Sequence, residues 1–228
     1  MTSEAGQGFL KKLIIFDCDG VLVDSEIVAN RVLAAHLSRH GYPVTVAECL
    51  STFVGRTIPG VIKMVADAGV TLPDDFEATL RKKDIEAFAR ELKPTPGMPA
   101  TLERLDASAK CVASSGTPDK IRRNLETTEL LKYFEPHLFS ASDVEHPKPA
   151  PDLFLMAADR MGARPDGCTV IEDTALGVEA AKRAGMRVFG YTGGAHRVPA
   201  DEKMLRAAGA DLVFADMAQL PDLLRASA

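Results

Sequence analysis

The 228-residue sequence is notable first for what it lacks. No uncharged apolar segment reaches the ~18 to 20 residues needed to cross a bilayer, and the opening MTSEAGQGFLKK has no apolar core of a secretory signal. Both absences point to a cytoplasmic protein without a membrane partner. There is no long basic block either: a net charge of −5 comes from interspersed acids and bases, which supplies no electrostatic footprint for nucleic acid. Charge therefore directs attention to small partners. The four cysteines, Cys18, Cys49, Cys111 and Cys168, show no paired spacing, and three lie in or beside predicted strands. They read as small buried thiols rather than disulfides or zinc ligands.

What is present is a hydrophobic fraction of 46%, enough for one large core and a smaller second one. Leu13 to Phe16 is short, branched-rich and bounded by acids, the pattern of a strand buried on both faces. Helical periodicity then covers residues 25 to 40, 46 to 53, 58 to 68 and 75 to 92. In the first of these Val28, Val32 and Ala35 share a face, as do Leu33 and Leu37; in the last, Phe76 pairs with Leu80 and Ile85 with Phe88. The punctuation KPTPGMP, residues 93 to 99, ends this helical block and reads as a hinge. Beyond it strands near 110–113, 138–140, 169–171, 187–191 and 212–214 alternate with helices near 100–106, 118–127, 151–161, 175–184, 201–208 and 217–225. Alternation of this kind predicts an α/β fold, right-handed crossovers around a doubly wound parallel sheet.

In open parallel sheets ligands bind beyond the carboxyl ends of the strands. The segments found there are DCDG, SSGT, ASDVEHPKPAP and EDT. Asp17 and Asp19 are two residues apart in an extended segment, so both side chains point the same way. Two like charges at ~4 Å cost about 4 kcal/mol at an effective dielectric of ~20, and a hard dication such as Mg²⁺ relieves that cost while sharing substrate phosphate. A polar turn with Asp19-Gly20 at its corner accounts for the same residues equally well. Glu172 and Asp173 form a second acidic pair able to complete a metal site, although Asp173 or Thr174 can equally cap the next helix. Ser114, with Ser115, Gly116 and Thr117 behind it, opens a helix and offers a hydroxyl and backbone N–H groups to an anion; Thr117 can cap that helix at the same time. Lys148, between Pro147 and Pro149, is a cation on a stiffened loop. Together these groups suit phosphoryl transfer through an aspartyl-phosphate, in which one carboxylate attacks phosphorus, a neighbouring acid handles the proton of the leaving oxygen, and cations and hydroxyl stabilise the equatorial oxygens.

DCDGVLVDSE, VASSGTP, HPKPAPDLF and VIEDTALGVEAAKRAGM, in that order, resemble the four motifs of the haloacid dehalogenase superfamily of hydrolases, in its phosphatase and β-phosphoglucomutase-like branch. The resemblance covers nearly the whole chain. It implies a Rossmann-like core, residues 1–23 and 95–228, with an inserted small α-helical cap, residues 24–94, that closes over it. It implies Asp17 as nucleophile, Asp19 as general acid and base, and Ser114 and Lys148 as phosphate holders, with Gly20, Ser115 and Gly116 also in the substrate site. It implies Mg²⁺ on Asp17, the Asp19 carbonyl and Asp173, with Glu172 beside it. Members that cleave carbon–halogen bonds lack an acid at the position of Asp19, so phosphate esters are favoured. The mutase members carry a histidine where this sequence has Ala29, which places phosphatase ahead of mutase. The expected substrate is a small phosphorylated metabolite, a sugar or sugar-acid phosphate; the cap and the HPKP region are similar to those of bacterial phosphatases acting on 6-phosphogluconate. In the cap, FVGRT resembles the family's specificity loop, with Arg56 the candidate for a distal anionic group. A non-enzymatic phospho-acceptor of the receiver type uses similar groups, but its order of motifs differs and it is shorter and capless. His196 follows a strand and is left unassigned, and the sequence is compatible with a monomer while leaving oligomeric state open.

Overall fold

The structure is a computed structural model that describes residues 12–53, 56–195 and 200–227. Six parallel strands, β1 (Leu13–Phe16), β2 (Ala109–Ser114), β3 (Leu138–Ser140), β4 (Cys168–Glu172), β5 (Arg187–Tyr191) and β6 (Leu212–Phe214), form one sheet in the order β3-β2-β1-β4-β5-β6. Alternation along each strand sorts side chains onto two faces. Ile14, Phe16, Val112, Ile171 and Phe189 belong to one apolar cluster. Leu13, Ile15, Cys111, Ala113, Cys168, Val170 and Val188 belong to the other. Both faces are covered by helices, which is why the strands are continuous apolar runs.

Helices α5 (Met98–Arg104), α6 (Pro118–Thr127) and α10 (Leu220–Ala226) contribute Met98, Leu102, Ile121, Leu125 and Leu220 to the first cluster. Helices α7 (Asp152–Arg160) and α8 (Ala175–Arg183), together with α9 (Ala200–Ala207), supply Leu153, Phe154, Val178 and Leu205 to the second. All four cysteines are free and buried, as their spacing predicts.

Between β1 and β2 lie α1 (Ser25–Arg39), α2 (Val46–Phe53), α3 (Ile58–Asp67) and α4 (Phe76–Glu91). The chain enters and leaves this block side by side: Val23 bridges Pro94 antiparallel, Asp24 N–H donates to the Lys93 carbonyl, and Thr95 N–H donates to the Leu22 carbonyl. The Thr95 hydroxyl, 2.6 Å from the Val21 carbonyl, ties the same crossing from within. The predicted helix at 100–106 in fact begins at Met98, because Gly97 at φ 79° turns the chain into the first turn and Pro99 fits that turn without needing a donor.

Two face assignments differ from the periodicity. α1 buries Val28, Val32, Leu33 and Leu37 with His36, which stacks on Phe76 at 4.4 Å, whereas Ala35 is exposed. α4 buries Leu80, Ala87 and Phe88, whereas Ile85 is 42% exposed. In both helices the neighbouring helix fixes which residues lie inside. Among the described residues, no helix is long and apolar enough to cross a membrane.

Candidate active site

The sheet order reverses at the β1–β4 boundary, so the segments that leave these two strands diverge and open a crevice between them. Asp17 N–H donates to the Ile171 carbonyl at 3.0 Å, carrying the ladder one residue past β1 and holding the first aspartate at that opening. Glu172 ends β4 and Asp173 follows it; Ser114 ends β2. Asp17, Asp19, Ser114, Lys148, Glu172 and Asp173 all line one cavity of about 720 Å³. The four loops that the sequence places at strand ends therefore meet.

Lys148 is the hub. Its Nζ donates to Asp17 Oδ1 and to Glu172 Oε1, both at 2.7 Å, and to the Ala113 carbonyl at 3.3 Å. It also lies 4.9 Å above the Phe154 ring. One ammonium thereby joins the ends of β1, β2 and β4. Burial opposes its charge, yet Asp17 and Glu172 hold it protonated well above the usual lysine range. Asp17 keeps a carboxyl pKa well above the ordinary value: burial is the main cause, and the charges of Glu172 and Asp173 add to it against the pull of Lys148. One lysine does not neutralise three buried acids.

Glu172 is expected on sequence beside the metal, and both its oxygens already accept hydrogen bonds. Oε1 accepts from Lys148, and Oε2 accepts from the backbone N–H of Asp173 and of Thr174, each at 2.9 Å, and from the Thr174 hydroxyl at 3.0 Å. The geometry makes it the partner of Lys148 and the clasp of the β4–α8 turn. Thr174, not Asp173, caps α8, accepting from Gly177 N–H at 3.1 Å. Gly20 explains how Asp173 reaches the rim: its φ is +81°, and a Cβ there would lie 2.0 Å from Asp173 Oδ2.

Asp19 has its own cation. Lys120 Nζ donates to its Oδ2 at 2.6 Å, and Asn124 Nδ2 to its Oδ1 at 3.3 Å. Burial alone would raise the Asp19 carboxyl, but the Lys120 charge, its hydrogen bond and one from Ser25 together bring it below the usual carboxylate range. The charge relief expected from a dication is thus supplied in part by two lysines, one for each aspartate. Lys120 and Asn124 lie on α6 and carry no motif, yet a signal exists: a lysine at N3 of a helix opposes the macrodipole, and an asparagine in a helix interior is a poor helix former.

Ser114 is buried, with its Oγ accepting from Gly116 N–H at 3.2 Å, and Ser115 and Gly116 line the cavity beside it. Thr117 caps α6. Arg56, its Nε donating to the Thr52 carbonyl at 2.9 Å, and Ala29 line the same cavity. His196 falls outside the described residues.

The model of the haloacid dehalogenase-like hydrolases matches residues 11–185. The chain is 30% identical over 215 residues to 6-phosphogluconate phosphatase of Escherichia coli K12, covering 93% of this chain and 94% of that protein. It superposes with a TM-score of 0.87 on the crystal structure of a conserved haloacid dehalogenase-like protein of unknown function from Agrobacterium tumefaciens, at 37% identity over 95% of this chain and 98% of that one. A putative β-phosphoglucomutase from Thermotoga maritima, at 25% identity and a TM-score of 0.79, covers 95% of this chain and 100% of its own. With motifs, sheet order and site geometry in agreement, the chain belongs to the haloacid dehalogenase-like hydrolase family.

Proposed function

We propose that the protein is a Mg²⁺-dependent phosphatase that hydrolyses a small phosphomonoester, a sugar or sugar-acid phosphate, through an aspartyl-phosphate. The observation that carries this reading is Lys148, bound at once to Asp17 and Glu172 at the mouth of the crevice. An ammonium fixed there holds the Asp17 carboxylate for in-line attack and presents its charge to the transferring phosphoryl group.

The residues present fit a magnesium ion. Among the described residues no three His, Cys, Asp or Glu side chains converge to hold an ion by themselves. Mg²⁺ needs no such cage, because it keeps several waters and binds through one or two carboxylates plus substrate phosphate. The surplus negative charge of Asp17, Glu172 and Asp173 favours a dication, and the available donors are hard oxygens. Asp17, the Asp19 carbonyl and Asp173 would hold it. When bound it supplies positive charge against the phosphoryl oxygens and the Asp17 carboxylate.

In the first half-reaction an Asp17 oxygen forms a bond to phosphorus and the bond from phosphorus to the substrate oxygen breaks; Asp19, which Lys120 keeps ionised in the free enzyme, takes up a proton with the bound phosphoester and delivers it to that oxygen. In the second, Asp19 takes a proton from water as the water oxygen attacks the aspartyl-phosphate and Asp17 leaves. Lys120 and Asn124 aim the Asp19 carboxylate. Ser114 with the Ser115–Gly116 backbone would hold phosphoryl oxygens, and Lys148, whose hydrogen bonds go to Asp17, Glu172 and the Ala113 carbonyl, would hold them by its charge. Glu172 is a positioning residue for Lys148.

Residues 24–94 act as a cap over a core formed by 1–23 and 95–228. The paired crossing at Val23 and Pro94 and the cavity lining drawn from both parts, Leu33, Phe53 and Leu80 from one and Asp17, Ser114 and Lys148 from the other, support this division. Arg56, whose place in the cavity lining supports this role, would meet a distal anionic group of the substrate. A mutase has to exclude water until a second hydroxyl arrives; Ala29, where mutases carry histidine, brings no proton-handling group to the cavity wall.

The test is turnover of p-nitrophenyl phosphate and a panel of sugar phosphates with Mg²⁺. Asp17→Asn is expected to abolish phosphate release, and a variant retaining most of its activity refutes the nucleophile assignment. Conversion of β-glucose 1-phosphate to glucose 6-phosphate, with a bisphosphate primer, faster than release of inorganic phosphate establishes the mutase instead.

A further inference from the structure

The catalytic cavity shares a wall with a second chamber of about 600 Å³. Leu80, Asp84, Ser115 and Lys120 line both, and Arg81 and Arg123 line the second alone. A substrate held by its phosphate in the first cavity can extend along the shared wall into the second.

Asp84 occupies that wall from α4, one turn before Phe88. Its Oδ1 is covered and has no hydrogen-bond partner among the described residues. An unsatisfied buried carboxylate oxygen is costly, and helix α4 gains nothing from it. The cation that acts on Asp84 is Lys120, which is already committed to Asp19 at 2.6 Å and lies 6.0 Å from the centre of the Phe88 ring. Burial raises the Asp84 carboxyl to about 6, so the group carries its charge at neutral pH without a bonded counterion. Oδ1 is covered, but the residue is half-buried and lines both chambers, so a molecule there meets the Asp84 side chain.

The chemistry of this position selects its ligand. A carboxylate repels a phosphate or carboxylate brought against it, and an aliphatic chain leaves its oxygens unsatisfied. A hydroxyl donates to it, and the Leu80 and Phe88 side chains nearby suit the C–H faces of a carbon skeleton. We infer that Asp84 is a specificity-determining residue that accepts a hydrogen bond from a hydroxyl on the substrate's carbon chain, favouring polyhydroxylated phosphoesters over those without hydroxyls. This assignment rests on the phosphatase reading for its substrate and adds the residue that chooses among phosphoesters.

The experiment is calorimetric titration, with Mg²⁺ present, of the non-turning-over Asp17→Asn protein with sorbitol 6-phosphate and with n-hexyl phosphate. Sorbitol 6-phosphate is expected to bind at least tenfold tighter. Adding Asp84→Ala should reduce that preference to less than twofold, while Asp84→Asn, which keeps an acceptor oxygen, should retain part of it. A preference that survives Asp84→Ala, or that is absent from the start, overturns the inference. Binding is read without turnover, so the two readings fail separately: wild-type protein unable to hydrolyse any phosphoester sinks the phosphatase assignment and leaves this comparison legible.

Discussion

Replacing Lys148 by Met removes a cation whose side chain is 6% exposed while leaving Asp17, Glu172 and Asp173 in place. Each of its two contacts, at 2.7 Å, is worth about 6 kcal/mol of gross attraction at an effective dielectric of ~20. Desolvation offsets most of that, and removing one partner of a buried pair costs about 3–5 kcal/mol net. In a chain of this size that lowers Tm by about 6–20 °C. The deficit also depends on pH, with a definite sign. Burial already raises the Asp17 carboxyl and Lys148 is what pulls it down, so in the variant it climbs further. A carboxyl that holds its proton more tightly folded than unfolded favours folding at low pH. That contribution is lost as pH rises from its unfolded value near ~3.9 through its raised folded value. Thermal melts of both proteins in EDTA from pH 5 to 8 should therefore show a deficit that is largest at pH 8 and shrinks on acidification. A deficit independent of pH, or below about 2 °C throughout, would refute the charge balance drawn for this site.

Three further outcomes follow from other contacts. Gly20→Ala forces a left-handed residue costing about 1–2 kcal/mol and drives its Cβ into the Asp173 carboxylate; turnover should fall at least tenfold and half-saturation by Mg²⁺ should rise, and unchanged Mg²⁺ dependence would show that Asp173 is not a ligand. Lys120→Met removes the charge that lowers the Asp19 carboxyl, so the acid limb of the kcat profile should move to higher pH; an unmoved limb would detach Lys120 from the proton step. Asp84→Leu exchanges an unsatisfied carboxylate oxygen for an apolar group and should raise stability by about 1–3 kcal/mol, read as a higher denaturant midpoint at unchanged slope, whereas a lowered midpoint would give Asp84 a structural role.

The sequence by itself determined the alternation of strands and helices, because burial on both faces of a strand and on one stripe of a helix leaves a local pattern. It also determined which loops meet at one rim, since a parallel sheet sends every strand end to the same side. That Asp17, Asp19, Ser114, Lys148 and Asp173 gather around one cavity was legible for that reason. Tertiary structure alone decided the partners. Lys120 and Asn124 reach Asp19 across separations of 101 and 105 residues, and Lys148 reaches Asp17 across 131. No local pattern encodes those distances, because the sheet order sets them. The same holds for Glu172, whose oxygens accept from the β4–α8 turn and from Lys148, and for Ala35 and Ile85, whose helical face matched the core but whose neighbours left them outside. Residue type and spacing fix what a side chain can do, and packing fixes which partner it does it with.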